Sequence, residues 1–237
     1  PAVQKSCAIF WIEPRGLPRI AFAGGANPTP LRAHRRAGHM ERKRHMLNFD
    51  YHIGTEIFFG RGQLAKLPAA IRRCTDKVLL CYGGSVKRTG LLDEVQSALR
   101  GAGISYVELA GVEPNPRTTT VDRGAGLCRR HGLGGVLAVG GGSTIDCAKV
   151  VAAACFYDGP AWDLIERRAP VTQVLPVFSV LTLSATGSEM DDVAVISNWQ
   201  TSEKRSIAHP AMRPVASVLD PTYTFTVPVN QTAAGTA

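Results

Sequence analysis

Residues 135–149, GVLAVGGGSTIDCAK, constrain this chain most: an apolar strand runs into three consecutive glycines and a serine, and a helix-forming stretch follows. Glycines let a backbone approach an anion closely, and the start of a helix offers free N–H groups and a positive dipole end. A phosphate cradle is the functional reading of this turn; the plain structural one is that the glycines only make the corner of a sheet protein. The register matches neither G-x-G-x-x-G nor the P-loop G-x-x-x-x-G-K-[ST], so neither of those nucleotide-binding families follows. Ser143 is expected at the helix N-cap, able to donate to a phosphate. Asp146 and Lys149, three apart, share a helix face and read either as support for the anion or as a surface ion pair.

The segments around this turn predict an α/β fold. DYHIGTEIFF (50–59) alternates like an opening strand or hairpin, and Leu64, Leu67 and Ile71 have helical spacing within 63–74. KVLLCY (77–82) is continuously apolar, as in a parallel strand covered on both faces. Gly83, Gly84 and Ser85 then turn the chain. Residues 91–99 form an amphipathic helix closed by Gly101, 106–109 a strand, and the loop VEPNPRT leads to a helix ending near Arg130. With a strand at 135–139 and a helix from Ser143, the β-α-β-α-β-α order predicts a doubly wound, Rossmann-like parallel sheet. Ligands of such sheets lie beyond the carboxyl ends of the strands, where Gly83–Ser85, Asn115 and Gly140–Ser143 fall. Further on, 174–183 reads as a strand interrupted by Pro176, VAVIS and KRSIAHP as arms of a hairpin, 214–219 as a strand, and a new helix begins at Pro228.

Charge divides the chain. Residues 1–45 carry nine Lys or Arg against two Glu, a surplus of 7, whereas 46–237 carry 18 basic and 17 acidic groups, a surplus of 1, so most of the net +8 belongs to the first segment. That segment has no helical or strand periodicity and is expected to be a disordered basic extension, either a transit-type peptide or, as we favour, upstream sequence read in frame with Met46 as the start. The charge therefore gives no reason to expect a nucleic-acid partner. No apolar run approaches the ~20 residues of a membrane span, so no membrane partner is expected either. The six cysteines lack C-x-x-C spacing and read as reduced thiols of a cytoplasmic protein. The six histidines include no H-x-x-x-H pair, so no metal site can be assembled from them.

Taken in order, FDYHIGTEIFFGRG, YGGSVKRTGLLDEV, the VEPNP loop, AVGGGSTIDCAK, LTLSATGSEM, AVISN and VLDPTYTFTVP resemble the iron-containing (group III) alcohol dehydrogenases, the butanol dehydrogenase branch in particular. The resemblance spans residues 46–237 and implies the N-terminal domain shared with dehydroquinate synthases and glycerol dehydrogenases. By position it implies a pyrophosphate seat at Gly140, Gly141, Gly142 and Ser143, supported by Asp146 and Lys149. It also implies a cofactor-side loop with Thr182, Leu183, Thr186 and Ser188, an adenosine-side contact at Asn115, a cofactor-proximal Lys204, and Val227 near the nicotinamide; Leu183 and Val227 could equally be core. The turn Gly83, Gly84, Ser85 is one glycine shorter than the branch usually shows. It has no carboxylate to read a ribose 2′-hydroxyl, which favours NADP over NAD.

The family also binds Fe2+ or Zn2+ through one Asp and three His of an all-helical domain. The resemblance places the first of these ligands directly after Ala237, so 46–227 is expected to be the dinucleotide-binding domain and 228–237 the start of the helical one. This implies one part of a homodimeric enzyme acting on a small alcohol or aldehyde, inactive alone and exposing an apolar patch where the rest would cover it. The alternative is a non-catalytic nucleotide-binding module.

Overall fold

In the computed structural model, which describes residues 54–236, the chain opens with β1 (Glu56–Phe59), a 3-10 turn and the short helix α1 (Leu67–Arg72). Then come β2 (Lys77–Tyr82), α2 (Gly84–Arg88), α3 (Leu91–Gly101), β3 (Ser105–Ala110) and α4 (Thr118–His131). The glycine turn joins β4 (Gly135–Gly140) to α5 (Gly142–Ala154), followed by α6 (Ala161–Ile165) and β5 (Val177–Leu181). A hairpin of β6 (Val193–Asn198) and β7 (Glu203–Ala208), then β8 (Ala216–Leu219) and α7 (Val229–Thr236), complete the described chain. The readings of residues 1–45 and 50–53 lie outside the described residues.

Six strands form one all-parallel sheet in the order β1-β8-β5-β4-β2-β3, and β6 and β7 pair apart from it, antiparallel. The chain leaves β2 for β3 on one side and returns to β4 on the other. The carboxyl ends of β2 and β4 therefore flank a topological switch point, where crossovers diverge and leave a crevice. Alternation within the strands sorts the core into two faces. Val78, Leu80 and Tyr82, with Leu137 and Val139, pack under Ile71 of α1 and Leu91, Val95 and Leu99 of α3. Leu79, Cys81, Val136 and Ala138 face α4 and α5. Helices on both faces complete the doubly wound arrangement.

Helix α5 is central: eleven of its thirteen residues are buried, the signature of a helix enclosed on all sides. Its neighbours are the sheet, α4 and the hairpin. Gly124 permits the close approach of α4, since a Cβ there would lie 2.7 Å from Val151 Cγ2 and 2.8 Å from Leu109 Cδ2.

Several boundaries differ from the sequence reading. Gly141, extended at φ −84°, caps α5, and Ser143 lies inside the first turn with no capping bond. Helix α3 runs through Gly101, and Gly103 at φ +69° supplies the left-handed turn. Pro176 precedes β5 rather than interrupting it, as expected of a residue unable to donate to a central ladder. β1 is a parallel edge strand beside β8.

Candidate functional site

The glycine turn stands at the switch point. The chain passes from β4 into α5 at Gly140–Gly142, and the first amides of α5 have neither an intrahelical acceptor nor a side-chain cap. The turn is tightly enclosed. A Cβ on Gly140 would collide with Thr144 Oγ1 and lie 2.8 Å from Thr144 Cβ, and one on Gly142 would collide with Thr186 Oγ1 and lie 3.0 Å from Thr186 Cγ2. A Cβ on Gly141 would sit 3.4 Å from Leu183 Cβ. The glycine backbone is therefore packed directly against the side chains of Thr144, Leu183 and Thr186, and the 182–188 loop lies against the turn. Thr182 N–H donates to Gly140 O at 3.0 Å, fixing the near end of that loop.

The other predicted positions gather unevenly. Asn115, left-handed at φ 54°, donates its amide to Ser143 Oγ at 3.3 Å, and Lys204 Nζ donates to Asn115 Oδ1 at 2.7 Å. Asn115, Ser143 and Lys204 thus form one rim, with Ser143 half-buried and the other two exposed. Gly83, Gly84 and Ser85 start α2 beside it, and Thr144 Oγ1 lies 3.9 Å from where a Gly83 Cβ would stand. Val227 precedes α7, its amide donating to Thr224 O at 3.0 Å. Helix α7 comes back over the 184–185 loop, where a Cβ on Gly235 would stand 3.1 Å from Ala185 Cβ.

Asp146 and Lys149 do not form the surface ion pair that their spacing allows. Lys149 is fully buried and donates to Asp191 Oδ1 at 2.7 Å and Val193 O at 2.9 Å. Asp146 accepts from Ser188 Oγ at 2.6 Å and from Val195 N at 3.0 Å. Burial pulls the Lys149 ammonium below the usual lysine range against the pull of Asp191. Burial likewise pushes the Asp146 carboxyl up, opposed by its bonds to Ser188 and Val195.

Sequence reasoning missed Asp191, and also the contact that fastens the hairpin. Arg117 Cζ lies 3.6 Å from the centroid of the Trp199 ring, and Ser197 N–H donates to Pro116 O at 2.9 Å. An Arg directly after the PNP loop was the one available signal. A cavity of about 240 Å³ opens at the carboxyl ends of β1, β5 and β8, bounded by Phe59, Leu181, Glu189, Leu219, Asp220 and Thr224. Phe59, Phe225 and Val229 are exposed, at 69%, 77% and 86%. Among the described residues no three His, Cys, Asp or Glu groups gather as a metal site, and no helix is long and apolar enough to cross a membrane. Five free cysteines are described, four of them buried.

A doubly wound domain with a glycine turn at its switch point defines a class of fold whose ligands bind in the crevice at that point. The iron-containing alcohol dehydrogenase profile matches residues 54–221, and the chain belongs to that family. It is 55% identical over 193 residues to NADH-dependent butanol dehydrogenase A of Clostridium acetobutylicum, covering 81% of this chain and 50% of that protein. It is 41% identical over 194 residues to the NADPH-dependent aldehyde reductase YqhD of Escherichia coli, covering 80% and 49%. The crystal structure of NADH-dependent butanol dehydrogenase A from Thermotoga maritima superposes with a TM-score of 0.77 at 42% identity, covering 81% of this chain and 48% of that one. The chain thus spans about half the length of the curated relatives it matches.

Proposed function

We propose that this chain forms the nicotinamide-dinucleotide seat of an enzyme that exchanges hydride between NAD(P) and a small primary alcohol or aldehyde. The observation that carries the reading is the enclosed glycine turn. Helix α5 begins without a side-chain cap where the 182–188 loop packs against Gly141 and Gly142, and there is no room for a side chain at Gly140 or Gly142. The amides of Gly142 and Ser143 would hold the pyrophosphate, with the Ser143 hydroxyl beside them. Lys204 and Asn115 would meet the adenosine side, while Thr182, Leu183 and Thr186 would line the path to the nicotinamide. The dinucleotide supplies the hydride chemistry when bound; the chain's own part is to bind it, orient it and shield one face from water. The family's metal finds no set of ligands among the described residues.

The turn Gly83–Ser85 lacks a carboxylate for the 2′-hydroxyl and favours NADPH, whereas the Clostridium relative is named for NADH. Titration of the purified chain with each reduced dinucleotide, followed by the rise in nicotinamide fluorescence, decides between them. Tighter binding of NADPH is the expected result, tighter NADH reverses the preference, and no saturable binding of either overturns the seat itself. The same reading assigns 228–237 to the opening of a helical domain. It makes the whole protein a cytoplasmic homodimer, which cell fractionation and sedimentation of the whole protein would test.

A further inference from the structure

We propose that Asp146 and Lys149 are positioning residues: they fasten the far end of the 182–195 segment, so that the loop lies ready over the glycine turn, and they do not touch the dinucleotide. The inference rests on the dinucleotide reading above, and its structural half stands on bonds already described. Both carboxylate oxygens of Asp146 are committed, one to Ser188 Oγ at 2.6 Å and the other to Val195 N at 3.0 Å. The Lys149 ammonium, fully buried, is turned towards Asp191 Oδ1 at 2.7 Å and Val193 O at 2.9 Å. Asp191 also receives the Val193 amide at 3.0 Å, closing a small knot at the foot of the hairpin. A buried ammonium left without these acceptors would be costly, so the knot is strongly specified.

The segment is therefore held at both ends. Thr182 N bonds Gly140 O at the near end, and Ser188, Asp191, Val193 and Val195 are held from α5 at the far end. Between the fastenings only residues 184–187 are exposed, and within them Thr186 rests against Gly142. Such a span loses little freedom when a ligand arrives, because most of its ordering has already been met by the fold; preorganisation of this kind raises affinity without adding a contact. One helix thereby carries both the anion-facing turn at its start and, one to two turns later, the fastenings of the loop opposite.

The test uses the full chain and two readouts: amide hydrogen exchange of residues 184–190 without ligand, and dissociation constants for NADPH and NADH. Ser188→Ala removes one fastening and is expected to speed that exchange about tenfold and weaken dinucleotide binding about fivefold, as the loss of one buried hydrogen bond implies. Ser188→Thr keeps the hydroxyl and is expected to restore both. Lys149→Met fills the same space without charge and is expected to loosen the loop further; if that variant does not fold, Asp191→Asn removes the counter-charge from the solvent side instead. Unchanged exchange in folded Ser188→Ala and Asp191→Asn overturns the proposal. So does weakened binding with unchanged exchange, which would make these side chains direct ligands. If the parent chain binds neither dinucleotide while exchange responds as expected, the fastening stands and the dinucleotide reading falls.

Discussion

The two strand-to-helix turns on either side of the switch point, at Gly83 and at Gly141, are nearly the same object locally. Each capping glycine is extended, with φ −89° and ψ 171° at Gly83 and φ −84° and ψ −172° at Gly141, and neither helix has a side-chain cap. Their surroundings separate them. After Gly83 the helix lasts five residues, and a Cβ on Gly84 would meet nothing within 4 Å. After Gly141 it lasts thirteen, and a Cβ on Gly142 would strike Thr186. The first turn is open and the second is roofed by a loop that its own helix ties down. What makes a glycine turn a binding seat is thus less its own dihedrals than the element packed across it.

Substitution at matched positions gives the largest contrast. Gly142→Ala should destabilise the chain by about 1–3 kcal/mol through overpacking and weaken dinucleotide binding at least about tenfold. Gly84→Ala should stay within about 0.5 kcal/mol. Urea unfolding and dinucleotide titration of the two variants check this, and equal effects would erase the distinction between the turns.

Alkaline pH should separate the buried thiols from the Tyr82 phenol by a smaller amount. Under the second turn, burial pushes the Cys147 thiol from 9.0 up to about 12, and the Cys128 thiol likewise. Under the first, burial pushes the Cys81 thiol well above 9.0, and burial and then the hydrogen bond to Glu108 push the Tyr82 phenol from 10.0 up to about 12. In each case the folded state keeps a proton that the unfolded chain has lost, so stability is whole below the unfolded value and falls as pH rises towards 12. Losses from the thiols begin near pH 9 and those from Tyr82 near pH 10. Urea midpoints measured in steps across this range should show Tyr82→Phe flattening only the upper part of the slope; flattening from its onset would overturn the assignment of that part to the phenol.

The smallest effect concerns the rim between the turns. Trp199→Ala removes the ring beneath the Arg117 guanidinium and should cost about 0.5–1 kcal/mol, measured as a lowered thermal midpoint. A larger loss would mean that the hairpin tip supports the Asn115–Lys204 rim more strongly than the stack alone provides.

The order of elements and the turn itself were readable in the sequence because they rest on local patterns. Residues 77–82 and 135–140 are apolar runs too short for most helices, and α3 and α4 carry clear helical periodicity. Caps were less readable. Ser143 has the right chemistry for an N-cap, but an extended Gly141 already begins the helix and leaves the serine free to meet Asn115. The roles of Asp146 and Lys149 were hidden for a different reason. Helical spacing says which residues share a face, not what lies across from it, and their partners stand more than forty positions later in the sequence. The Arg117–Trp199 stack is likewise a product of the hairpin folding back onto the PNP loop, which no local pattern announces.

The pairing of β1 with β8 has a consequence for the order in which the molecule can assemble. Thr55 Oγ1 bonds Pro214 O at 2.7 Å and Gly62 N bonds Asp220 Oδ2 at 2.7 Å, across 159 and 158 positions of chain. During synthesis β2, β3 and β4 emerge early enough to pair with one another, while β1 waits for nearly the whole described chain before its neighbour exists. Contacts of such long range close slowly because the loop entropy must be met first. The strands that carry the two glycine turns can therefore form before the edge is sealed, and a nascent chain would spend that interval with the free edges of β1 and β5 exposed to wrong partners.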